Sequence, residues 1–194
     1  IFIFHKLNNN NIMKNIYSNI FSFNKYMLKK TVKSLKQDNI VGLPTETVYG
    51  LAGNAYSKKA VRKIFKKKKR PNKNPLIVHY YDVKAAEKDV ILNSNFIKLY
   101  NRFAPGPLTF ILKKKKKSKV SRLATSNLST LAIRFPKHKI IRSILKSIKF
   151  PLAMPSANLS SGLSPVNAFD VFDEFKEKLK IIINGGKSKI GIES

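Results

Sequence analysis

The stretch KKKKRPNKNPLIVH, residues 66–79, sets four lysines and an arginine against a proline and a short apolar run ending in His79. A cationic wall of that kind suits a polyanion such as a triphosphate. Lys68 falls at the end of a helix-patterned segment, and Pro71 biases Arg70 toward an extended conformation, so both side chains could converge on one ligand. Lysines at a helix C-terminus also complement the helix dipole, which gives Lys66 to Lys69 a purely structural reading. His79 closes an apolar run, a place where a lone histidine is more commonly structural than a ligand.

Four other segments could carry chemistry. In GLPTETVYGLAGNA, residues 42–55, the hydroxyls of Thr45 and Thr47 share one side of an extended chain, with Glu46 between them. Gly50 and Gly53 let backbone approach a ligand closely. A β-turn with polar filler explains the same residues, and no Walker phosphate loop is present. In FAPGPLTF, residues 103–110, two prolines around Gly106 make a rigid corner before a strand. In TLAIRFPKH, residues 130–138, Arg134 interrupts an apolar strand, so it must be paired or face a cavity. With ten acidic residues in the whole chain, a ligand carboxylate or phosphate competes evenly with an internal salt bridge. In PLAMPSANLSSGLSP, residues 151–165, a strand delivers Ser156 and Asn158, which point the same way if the chain stays extended. No G-x-S-x-G elbow surrounds Ser156, so short hydrogen-bond donors for a ligand fit better than a serine nucleophile.

Those segments sit between elements that alternate in type. The spacing predicts helices over about 27–38, over 57–69 with Ser57 as N-cap, and over 94–103 capped by Ser94, with Phe96, Tyr100 and Phe103 on one stripe. A helix follows over 138–148, and another starts with Ser164 as cap and Pro165 in its first turn, then shows Phe169, Phe172 and Phe175. Strands are expected at 40–44, 75–79, 107–112, 130–135, 151–154 and 180–184. Interleaved strands and helices imply an α/β domain around a largely buried sheet. Residues 1–26 are Asn-rich, lack acids and begin with Ile, which reads as a disordered or untranslated extension, leaving 27–194 as the domain. The final IGIES looks like a strand cut short, so the domain is expected to be truncated there.

The chain has 194 residues, of which 43% are apolar, enough for one domain with a core. It lacks cysteine, which excludes disulfides, a thiolate nucleophile and Cys-ligated zinc. No apolar run reaches the roughly 18 residues of a membrane helix. The formal charge of +29 points to nucleic acid or another polyanion. Yet 33 of the 39 basic residues are lysine, and Asn, Ile and Phe are abundant, a pattern that AT-rich coding bias also produces. Arginine is then the more informative cation, because it persists where a planar bidentate donor is needed.

Taken in order, PTETVYGL, then IFKKKKRPNKNPLIVH, FAPGPLT, LAIRFPKH and PSANLSSG resemble the threonylcarbamoyl-AMP synthases of the YrdC type. The resemblance covers residues 28–194. It implies a twisted open mixed sheet with flanking helices around a basic concave cavity. It implies condensation of L-threonine, bicarbonate or CO2 and ATP into threonylcarbamoyl-adenylate and pyrophosphate, in the cytoplasm. A downstream transferase then modifies tRNAs that read ANN codons. Residue by residue, the resemblance assigns ATP to Lys68, Arg70, Asn74, Thr130, Ser156, Asn158 and Ser164. It assigns L-threonine to Thr45, Thr47, His79, Arg134 and Ser194. Mg2+ is expected with the triphosphate, without a dedicated protein ligand set. Lys69 departs from the small or polar residue common at that position. Two other readings use the same fold: a non-catalytic module for double-stranded RNA or tRNA, and a hydrogenase-maturation carbamoyltransferase, which would carry Cys-rich segments missing here.

Overall fold

Short β-branched runs bounded by proline and glycine alternate here with amphipathic stretches, and each resolves into a strand or a helix. The computed structural model describes residues 17–194. Eight strands form one mixed sheet: β1 (Ile20–Ser22), β2 (Val41–Leu43), β3 (Gly50–Asn54), β4 (Val78–His79), β5 (Thr109–Lys113), β6 (Thr130–Arg134), β7 (Leu152–Ala153) and β8 (Ile182–Asn184). Their order across the sheet is β1-β8-β2-β3-β7-β4-β6-β5. The helices are α1 (Lys25–Lys36), α2 (Lys58–Lys68), α3 (Val83–Ala86), α4 (Ser94–Phe103), α5 (Lys139–Ser147) and α6 (Ala168–Phe175).

Alternation along the strands separates two cores. Leu51, Val78, Ile133, Ala153 and Ile182 face a layer built from α2, α4 and α6. Val41, Leu43, Ala52, Leu152 and Ile183 face α1 and α5 on the other side. A sheet buried on both faces must read as apolar runs, which is how β2, β6 and β8 read in the sequence. No helix among the described residues is long and apolar enough to cross a membrane.

Several expectations change. Residues 1–16 of the expected extension lie outside the described residues. Residues 17–26 belong to the fold: β1 pairs parallel with β8, and Tyr17 packs edge-on against Phe172 at 4.8 Å. Residues 17–26 thus pack with the body expected to begin at residue 27. The cap of α4 is Asn93, whose side chain accepts from the Phe96 N–H, and not Ser94. Phe103, expected on the inner stripe of that helix, is 46% exposed. The last helix begins at Ala168, capped by Asn167 and Asp170 in a reciprocal box. Ser164 and Pro165 do not start it, because the Pro165 carbonyl is held by the Tyr49 N–H at 2.8 Å and keeps this segment extended. The segment after Pro44, read as a loop with a glycine turn, supplies the unforeseen strand β3. At the predicted FAPGPL corner, a Cβ on Gly106 would meet the Phe103 carbonyl oxygen, so only glycine fits.

Candidate functional site

The β2–β3 connection explains how two alternating threonines come together. The chain bends after Pro44, and the Thr45 hydroxyl donates to the Val48 carbonyl at 2.6 Å. The same oxygen accepts the N–H groups of Thr47 and Val48, closing a side-chain turn. Thr45 and Thr47 Oγ1 atoms then lie 2.9 Å apart. They share a side because the turn closes, and not because the chain is extended.

Arg70 reaches the same place by a different local device. Helix α2 buries Val61, Ile64, Phe65 and Lys68 on one stripe. Lys69 takes a left-handed conformation, φ +50°, and ends the helix, with the Arg70 N–H bonded to the Phe65 carbonyl at 3.0 Å. The reversal swings Arg70 outward. Its Nε and Nη2 donate to the carbonyls of Asn74 and Pro75, each at 3.1 Å.

Lys68 stays behind on the inward face at 1% exposure, and does not converge with Arg70 as expected. Its Nζ donates to the Ser156 carbonyl at 2.5 Å, the Asn158 carbonyl at 2.6 Å and Asn158 Oδ1 at 3.1 Å. Three acceptors use all three ammonium protons. Burial, and then the neighbouring Arg70 charge, lower its pKa to about 8, against the opposing pull of Glu193 and Glu174. The Asn158 amide nitrogen donates to the Gly162 carbonyl, so this side chain shapes its loop and turns away from Ser156.

Thr45, Thr47, Arg70, His79, Arg134, Ser156 and Ser194 all line one cleft of about 510 Å³, counted with its open mouth. Gly50, Ile77, Met154 and Glu193 complete much of its wall. A Cβ on Gly50 would collide with Met154, including its Sδ at 2.8 Å. His79 is fully enclosed. Burial first, and the Arg134 charge second, push its pKa well below the usual histidine value, so it stands neutral in the cleft wall. Its Nδ1 has no partner within the protein.

Arg134 settles the alternative left open by the sequence. Its Nη2 donates to Glu46 Oε1 at 2.7 Å in a buried ion pair. Its Nη1 donates to Ser194 Oγ at 2.9 Å, and its buried Nε is unpartnered. It is thus internally paired and still faces the cavity. Burial raises the Glu46 pKa, but Arg134 and the backbone N–H groups outweigh that and hold it below the usual carboxylate value.

Three expected residues stand apart. Asn74 is exposed, and only its carbonyl meets Arg70. Ser164 connects to the cleft through Glu193, to which its hydroxyl donates. Thr130 opens β6 opposite Lys113, at the other end of the strand from Arg134. Four residues of strand separate the two by about 13 Å, and strand ends emerge at opposite edges of a sheet. Glu46, Glu193 and Met154 were not singled out from the sequence. The one available signal was the scarcity of acids: a buried arginine needs one, and Glu46 lies within a motif.

Among the described residues no group of three or more His, Asp or Glu side chains could hold a metal ion. The arrangement suits anionic ligands: Arg70 and Arg134 supply charge, Thr47 and Ser156 supply neutral polar groups, and Met154 and Ile77 supply apolar wall.

The Sua5/YciO/YrdC family model, described as Telomere recombination, matches residues 33–194. The threonylcarbamoyl-AMP synthase of Pyrococcus abyssi is 40% identical over 163 residues, covering 82% of this chain and 47% of that protein. That of Bacillus subtilis is 39% identical over 174 residues, 89% of this chain and 50% of that protein. The crystal structure of P. abyssi Sua5 complexed with L-threonine superposes with a TM-score of 0.87 at 37% identity, over 90% of this chain and 52% of that one. The chain therefore spans about half the length of these relatives.

Proposed function

The chain belongs to the Sua5/YciO/YrdC family, and from that premise we propose that it is a threonylcarbamoyl-AMP synthase acting in tRNA modification. The threonine amine and CO2 give a carbamate on the threonine nitrogen with loss of a proton, and from bicarbonate the same carbamate forms with loss of water. A carbamate oxygen attacks the α-phosphorus of ATP, and pyrophosphate leaves with the electron pair of the broken P–O bond. Nucleophile and electrophile are both anionic, so the protein must neutralise them and hold them in line.

The observation that carries this reading is the convergence of Arg70, from the end of α2, and Arg134, from the end of β6, on one cleft. We assign Arg70 and Ser156 to the phosphate side, with Lys68 and Asn158 shaping the loop that bears Ser156. Thr47, His79, Arg134 and Ser194 take the amino acid: a guanidinium for its carboxylate, and neutral acceptors for its amine and hydroxyl. Neutral His79 can accept a proton-bearing group without adding charge repulsion to the ammonium. Mg2+ enters with ATP as part of the substrate, bound by phosphate oxygens and water, which fits the scarcity of acids around the cleft.

The product would pass to a transferase that places the threonylcarbamoyl group on tRNA, in the cytoplasm where ATP and tRNA occur together. The test is direct. The full-length protein with L-threonine, bicarbonate and Mg-ATP should release pyrophosphate and yield threonylcarbamoyl-adenylate by mass spectrometry. Arg70→Ala should abolish both and leave the circular dichroism spectrum unchanged. Pyrophosphate release that ignores threonine and bicarbonate would refute the activity.

A further inference from the structure

Glu46 lies outside the cleft lining, yet both of its carboxylate oxygens and its carbonyl are engaged by other segments. Its Oε1 accepts Arg134 Nη2 at 2.7 Å, while its Oε2 accepts the backbone N–H groups of Lys137 at 2.9 Å and His138 at 3.1 Å. Its own carbonyl accepts the Ile190 N–H at 3.0 Å. The residue thus joins three segments that are distant in the sheet: the β2–β3 turn, the β6–α5 connection, and the tail that carries Glu193 and Ser194. Strands β3, β7 and β4 lie between β2 and β6. No backbone pair joins β2 directly to β6, and the carboxylate links the segments that follow these two strands in one step.

We propose that Glu46 is the positioning residue of the amino-acid carboxylate subsite. An arginine has four side-chain torsions and, unrestrained, samples many rotamers. Glu46 removes that freedom at one Nη2 proton. It is itself immobilised by two backbone donors, so the restraint has a rigid base. The protons left on Arg134 are those at Nε and the second ones on each terminal nitrogen. These can address a ligand carboxylate from a fixed position. The pairing also offsets the Arg134 charge, so an anion there is oriented by directed N–H groups more than by a free cation. This inference rests on the threonine assignment of the preceding subsection.

The test measures L-threonine and Mg-ATP binding by calorimetry, and pyrophosphate release, for the full-length wild type, Glu46→Gln and Glu46→Asp. Glutamine presents an amide NH2 toward donors and cannot replace both oxygens. Aspartate keeps the buried charge but is one methylene short. Both variants should bind L-threonine at least about tenfold more weakly, a 1.4 kcal/mol loss, while Mg-ATP affinity changes less than about twofold. Threonine affinity at the wild-type level in either folded variant overturns the inference, as does equal loss of both ligands, the signature of a merely structural role. Should Glu46→Gln fail to fold, Glu46→Asp decides alone. A wild type that binds threonine without making pyrophosphate would refute the synthase reading and leave this one standing.

Discussion

Lys68→Met isolates what a buried lysine does beneath the cleft. Methionine nearly matches the lysine stem in length and volume but cannot donate. At neutral pH two effects oppose one another. Lys68 has its pKa lowered from an ordinary 10.5 to about 8, which corresponds to about 3 kcal/mol lost by keeping it charged in the folded state. Against that, the ammonium satisfies the carbonyls of Ser156 and Asn158, and charged hydrogen bonds contribute roughly 1.5–3 kcal/mol each. The methionine variant should thus be less stable at pH 7 by only about 0–3 kcal/mol. The pH dependence separates the two effects. A lysine with a folded pKa below its unfolded one costs stability while charged, and that cost is complete below about pH 8. It is relieved as pH rises from about 8 toward 10.5, because the unfolded chain then binds more protons than the folded one. Wild type should therefore gain about 2.5 kcal/mol from this residue between about pH 7 and pH 10, and the variant should gain none of it. Guanidinium unfolding of both proteins at the two pH values measures the difference, since all other lysines and tyrosines titrate in both. A stability gap that stays constant across that range would refute the argument. It would mean that three carbonyl-type acceptors restore the charge and that burial does not govern Lys68.

Lys69→Gly should raise stability by about 0.5–1 kcal/mol in thermal denaturation, because residue 69 sits at φ +50° and a side chain is strained there. Gly50→Ala should push Met154 into the cleft, costing about 1–3 kcal/mol and weakening L-threonine, and adding Met154→Ala should restore much of both by unfolding and binding assays. Asp89 accepts the hydroxyls of Tyr56, Tyr80 and Ser118 and the N–H of Lys119. Asp89→Ala should lower stability by about 3 kcal/mol or more through stranded donors, while the folded fraction keeps its affinity for both substrates.

The fold was largely legible because its strands are buried on both faces and its helices carry clean stripes. Runs such as IVGLP, TLAIRF and KIIIN have one sensible reading, and Ser57 caps its helix as expected. Elements were missed where the deciding contact was distant. Nothing near Ser164 reveals that Tyr49 will hold Pro165 extended, and nothing in Ile20–Ser22 announces its pairing with β8, some 160 residues away.

The candidate site divides in the same way. Residue types and motif order determined by themselves which segments matter, since Arg70, Arg134, Thr47, His79 and Ser156 carry their chemistry wherever they are placed. The burial of Lys68 had a local signal, because it continues the stripe of Val61, Ile64 and Phe65. What only the tertiary structure decided is which of these groups face one another. Arg134 became both paired and cleft-facing because Glu46 closes on it across three intervening strands. Thr130 lies outside the cleft lining because a strand carries its two ends to opposite edges of the sheet. Periodicity fixes the side of an element on which a residue lies; the meeting of separate elements depends on long-range packing, which local spacing does not encode.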